Sequence, residues 1–136
     1  MFQQDYLMRL FMQLAEGIRK SIRRAIDEKD PEAAADMLEA TVGEATELDG
    51  AVLLSLAPES IASVVQISGT DPRAVEYICR SLLLEAEYLR EAGKNDKAEL
   101  RSQQAYALGD AYGIDLTDVS LDEEALEEFF ESTKIQ

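Results

Sequence analysis

Apolar residues recur along this chain every three or four positions, the spacing that gathers them on one face of an α-helix. The longest such stripe is Tyr6, Leu10, Leu14, Ile18, Ile22 and Ala25, widened by Leu7, Phe11 and Ala15, and it predicts a helix from Gln3 to Glu28. A helix apolar over so wide an arc needs packing partners along its length. Asp30-Pro31-Glu32 then opens a second helix running to Glu47, with Ala34, Leu38, Thr41 and Ala45 as its packing face. Asp49-Gly50 is a turn signal, and Ala51 to Leu56 a short helical turn. Pro58-Glu59 starts a third helix whose Ile61, Val64, Val65 and Ile67 are expected to point inward, placing it centrally.

The densest pattern lies between Asp71 and Gly113. Asp71 is suited to cap a helix and Pro72 to its first position, where no N–H is needed. Val75, Cys79, Leu82, Ala86 and Leu89 make one face, Gly93-Lys94-Asn95 a break, and Ala98, Leu100, Ala105 and Leu108 the face of a second helix. So short a connection makes the two helices antiparallel neighbours, with Ala86, Ala98 and Ala105 where they come closest. After a connector from Ile114 to Val119, Ser120 and Glu123 have capping-box spacing, so a last helix is expected over 121–133. The expected fold is all-α: about six helices in antiparallel hairpins, forming one domain over 1–136.

The spacing of the 71–113 hairpin resembles a tetratricopeptide repeat, a unit of about 34 residues. With Cys79 at the first position, Ala86 falls at the eighth, Leu89 at the eleventh, Gly93 at the fifteenth, Ala98 at the twentieth and Ala105 at the twenty-seventh. Leu82, Ser102 and Asp110 depart from the pattern, and any tight αα-hairpin with alanines at the crossing matches nearly as well. Ala34 precedes Ala98 by 64 positions, so consecutive repeats are not expected. Near the N-terminus, Asp5-Tyr6-Leu7-Met8-Arg9 resembles the signature of a family of short uncharacterised bacterial proteins, in which a long first helix precedes a tetratricopeptide-like body. That resemblance implies a fold but no activity. Asp5 and Arg9 lie one turn apart and are placed to pair, for about 0.3–0.5 kcal/mol.

Charge changes the picture more than composition does. The formal net charge is −15, spread as +3 over residues 1–26, −10 over 27–101 and −8 over 102–136. Such a surface repels nucleic-acid phosphates and anionic headgroups, so neither nucleic acid nor a membrane is an expected partner. Arg19, Lys20, Arg23 and Arg24 cluster at the end of the first helix, as the helix dipole favours; they are either a site for an acidic partner or a solvated, internally paired face. The last helix carries Leu121, Ala125, Leu126, Phe129 and Phe130 against five glutamates, so it docks either on its own domain or on another chain. Its charge complements the basic end of the first helix. One cysteine excludes an internal disulfide; with no signal peptide and no spanning run, the expectation is cytoplasmic, with Cys79 a buried, inert thiol.

Histidine is absent, which removes the commonest general base, the usual zinc ligand and the Glu-x-x-His pairs of di-iron bundles. No glycine-rich phosphate loop, Gly-x-Ser-x-Gly elbow or Cys-x-x-Cys pair occurs. Catalysis, a cofactor and a metal site are therefore not expected. Two classes of role remain. If the 71–113 hairpin packs as a tetratricopeptide unit, the resemblance puts Arg80, Leu83, Glu87 and Arg90 on the concave face, where the arginines would clamp a carboxylate of a protein or peptide partner and Leu83 an apolar side chain. Alternatively the chain self-assembles as a homodimer through its first or last helix, with Leu121, Phe129 and Phe130 in an interface of at least about 1,200 Å².

Overall fold

The computed structural model of the chain describes residues 2–134, and among them it is all-α, with seven helices and no strand. They are α1 (Phe2–Ile26), α2 (Pro31–Thr46), α3 (Gly50–Leu53), α4 (Pro58–Ser68), α5 (Pro72–Glu91), α6 (Asn95–Tyr112) and α7 (Glu123–Ser132). The starts of α2 and α5 follow from capping: Asp30 accepts from the Ala33 N–H at 3.1 Å and Asp71 from the Arg73 N–H at 2.9 Å, each ahead of a proline. Asp49 is likewise a cap, so Asp49-Gly50 begins a helix instead of a plain turn. The expected capping box at the last helix does not form. Ser120 Oγ accepts from the Asp122 N–H at 3.3 Å, and the helix begins at Glu123 rather than Leu121.

Two antiparallel hairpins, α1–α2 and α5–α6, stand side by side with α2 between α1 and α5, while α4 packs on α6. In the first hairpin the helices touch at Gly17, where an added Cβ would lie 2.5 Å from Thr41 Oγ1. In the second, Ala86, Ala98 and Ala105 are fully buried, as the crossing requires. The first helices of the two hairpins run in the same direction: Phe11 stacks on Tyr77 with ring centroids 5.0 Å apart, and further along both helices Ser21 lies beside Tyr88.

The central position belongs to α5 and not, as expected, to α4. Besides the stripe through Val75, Cys79 and Leu82, α5 buries a second one through Tyr77, Leu84 and Tyr88, so it is covered on nearly every side. α4 buries only Ile61 and Val65; Val64 is half-buried and Ile67 is 86% exposed, because apolar composition without a second stripe leaves one face outside. Tyr6 departs from its stripe too, at 50% exposed. A series spaced strictly by four turns about 40° per step, so its two ends cannot face one core, and Leu7 takes the inward position instead. Among the described residues no ion pair joins Asp5 to Arg9. Cys79 is buried, and burial pushes its thiol up to about 12, far from the thiolate that nucleophilic chemistry uses.

Candidate functional site

Parallel α1 and α5 leave a groove between them, and the C-terminal segment lies in it. α7 runs antiparallel to α5: Asp122 and Glu123 sit near Glu87 and Tyr88, while at the other end Thr133 shares a hydrogen bond with the Tyr77 hydroxyl. Tyr77 is the floor. Its ring stacks on Phe130 at 5.8 Å and 5° and meets Phe129 at 4.6 Å and 55°, besides its contact with Phe11. Leu126 and Phe130 are buried, and Phe129 and Leu121 are half-buried. The aromatic face offered for self-association is thus turned onto the chain's own core.

Two arginines hold the rims. Arg19 of α1 grips Glu127 with two parallel bonds, Nε to Oε2 at 2.7 Å and Nη2 to Oε1 at 2.9 Å, and its guanidinium lies 5.0 Å from the Phe130 ring centroid. The hydrogen bond to Glu127 holds the Arg19 pKa above its usual value and that of Glu127 below. Arg80 of α5 lies 4.0 Å over the Phe129 ring while pairing with Glu76 at 2.9 Å. Because both partners of the Arg19 pair are substantially exposed, it contributes at most about 1 kcal/mol. Burial of Leu126 and Phe130, at about 1.5–3 kcal/mol each, is the larger attraction.

The four residues singled out on α5 share one face, which is covered at Arg80 and Leu83 and exposed at Glu87 and Arg90. Leu83 is 8% exposed and belongs to the same buried cluster as Leu116, against which Val119 and Leu121 pack. Arg80 is under Phe129, and Arg90 donates to Ser102 Oγ at 2.9 Å. Burial raises the Glu87 pKa, helped by Glu91 and Asp122 and opposed by Arg90. Of the basic cluster, Arg19 pairs with Glu127, Arg23 with Glu16 and Arg24 with Glu28 and Asp30, so the internally paired reading describes three of the four. Tyr77 and Phe11 were missed as site residues; the second stripe of α5 was the signal for Tyr77.

Beyond the groove, the interior holds one charged pair that helical periodicity did not reveal. Arg101 Nε donates to Glu85 Oε2 at 2.7 Å and Nη1 to the Leu54 carbonyl at 2.8 Å and to Gln104 Oε1 at 3.2 Å. Gln104 Nε2 donates to the Leu54 and Leu56 carbonyls, so the network ties the loop before α4 to α5 and α6. Glu85 follows Leu82-Leu83-Leu84 and precedes Ala86, and that apolar density was the legible sign of its burial. Among the described residues no group of three or more acidic or cysteine side chains is placed to hold a metal ion, and no helix is long and apolar enough to cross a membrane.

The class these features define is a helical-hairpin protein whose first-helix groove is filled by an acidic amphipathic helix of its own chain. Compared with known proteins, the chain matches no protein-family model, no curated protein and no solved structure.

Proposed function

We propose that this protein acts by binding rather than catalysis, as a tetratricopeptide-like interaction module that takes a protein segment across the α1–α5 groove. One observation carries the reading: a helical segment, α7, is already seated there by aromatic stacking and a two-pronged arginine–carboxylate bond. Helix-in-groove recognition uses these elements, an apolar face against a hydrophobic trough and charged pairs at the rim. The cytoplasm is the compartment that goes with a single buried thiol. The test is quantitative capture of partners from the source cell by the full chain and by a chain with Arg80→Glu and Arg90→Glu, both confirmed as folded by circular dichroism. A partner recovered equally by the two chains does not use this face.

A second reading, homodimerisation through α1, rests on a different observation. Met8 and Met12, one turn apart on α1, are 36% and 66% exposed, an apolar surface beside the groove. Light scattering across micromolar concentrations, with Met8→Lys/Met12→Lys as control, tests it; a strict monomer removes it.

A further inference from the structure

α7 has ten residues, too few for a stable helix in isolation, so its helicity depends on its seat. The seat reads few features. Leu126, Phe129 and Phe130 fill the trough, Glu127 meets Arg19, and the remaining glutamates of α7 make no ion pair outside their own segment among the described residues. At the other end of the helix Asp122 stands near Glu87, whose charge Arg90 offsets, and among the described residues no ion pair holds Asp122 to α5. Nine residues, 114–122, separate the end of α6 at its Gly113 cap from the start of α7; they contain no helix or strand and are anchored by the buried Leu116, so α7 can lift only by turning about the residues that follow this anchor.

The seat also extends past α7 as it runs over Glu123–Ser132. Beside Phe130, Thr133 and Lys134 a cavity of about 100 Å³ remains, lined on the α1 side by Met8, Phe11, Met12 and Ala15, with Met8 and Met12 36% and 66% exposed. A longer helix in the same orientation would cover both methionines, contact that α7 over Glu123–Ser132 does not make. That difference is what allows an incoming helix to compete with one tethered to the site, since tethering gives the resident an effective concentration of the order of millimolar.

Building on the groove reading above, we infer that the partner is an acidic amphipathic helix with the order aliphatic–acid–x–aromatic–aromatic, and that α7 is its built-in mimic, which the partner displaces. The groove is specific for this chemistry: Tyr77 and Phe11 take the aromatic pair, Arg80 lies over one of its rings, and Arg19 takes the acid. A basic helix is refused at both arginines. In the resting chain only the fraction with α7 lifted is competent, so the apparent affinity falls by that fraction.

The experiment uses full chains and a labelled synthetic peptide of residues 121–134, read by fluorescence anisotropy. Loosening the resident by Phe130→Ala, or separately by Glu127→Arg, is expected to tighten peptide binding at least tenfold over the parent. Adding Arg19→Glu to either loosened chain is expected to return most of that gain, and a peptide with both phenylalanines replaced by alanine is expected not to bind. Circular dichroism identifies any variant that fails to fold, and the two independent ways of loosening α7 keep the comparison available. Equal affinity for parent and loosened chains, with Arg19→Glu still weakening both, overturns displacement but leaves the groove as a binding site. No binding to any folded chain up to millimolar peptide overturns displacement and the groove reading together.

Discussion

Replacing Arg101 with methionine keeps most of the side chain's length and volume but removes the cation that contacts the Glu85 carboxylate at 2.7 Å. Glu85 and Arg101 are 1% and 2% exposed, so bulk solvent does not reach the carboxylate. The Leu54 carbonyl keeps its bond from Gln104 Nε2 at 3.0 Å, so the damage falls on the buried Glu85 carboxyl group and on Gln104 Oε1, which loses its donor at 3.2 Å. Breaking such a pair from one side costs about 3–5 kcal/mol, a large share of the 5–15 kcal/mol that holds an ordinary domain together. For a chain of this size that is a loss of roughly 10–15 °C in midpoint temperature.

Replacing both members, as Glu85→Leu with Arg101→Met, removes the stranded charge and should recover most of the loss. Acidification should also recover it. Burial, outweighing the pull of Arg101 and with Glu39 acting in the same direction as burial, already raises the Glu85 pKa from 4.5 to about 7. The folded state therefore holds a proton that the unfolded chain has released, and this contribution is fully present below pH 4.5 and lost as pH rises toward 7. Its size is on the order of 3 kcal/mol, and Glu85→Gln should abolish that slope. Urea titrations followed by far-ultraviolet dichroism between pH 4.5 and 8 measure all four chains. A single Arg101→Met within about 0.5 kcal/mol of the parent at pH 7, or a double variant weaker than the single, would refute the reasoning.

Three further predictions test other parts of the fold. Gly17→Ala should destabilise by about 1–3 kcal/mol despite alanine's better helix propensity, because the new methyl meets Thr41; adding Thr41→Ala should restore stability, by thermal melts. Glu47 ends α2 with φ at 59°, in the left-handed region, so Glu47→Gly should raise stability by about 1 kcal/mol in urea titration. Tyr77→Phe loses only the hydrogen bond to Thr133, about 1 kcal/mol, whereas Tyr77→Ala removes the ring against Phe11, Phe129 and Phe130 and should cost about 3–5 kcal/mol. Hydrogen exchange should show α7 losing protection first in the alanine variant.

Local chemistry was enough to read the helices and the hairpins of this chain. Asp-Pro openings at Asp30 and Asp71 and left-handed ends at Gly93 and Gly113 act within one turn of backbone, so their effect is visible without a neighbour. Alanines 86, 98 and 105 likewise announce a close crossing wherever it falls in space. The docking of α7 was half legible, since its glutamates and the arginines of α1 pointed to each other, but its apolar face fitted a second chain as well as its own. What only tertiary structure decided is which surfaces meet. An apolar stripe specifies that something must cover it, not what; so Ile67 is left outside while α5, through Tyr77 and Tyr88, is covered on nearly every side. Glu85 and Arg101 are 16 positions apart and read as surface charges until the α5–α6 crossing brings them together, because pairing across helices depends on distance in space and carries no period along the chain.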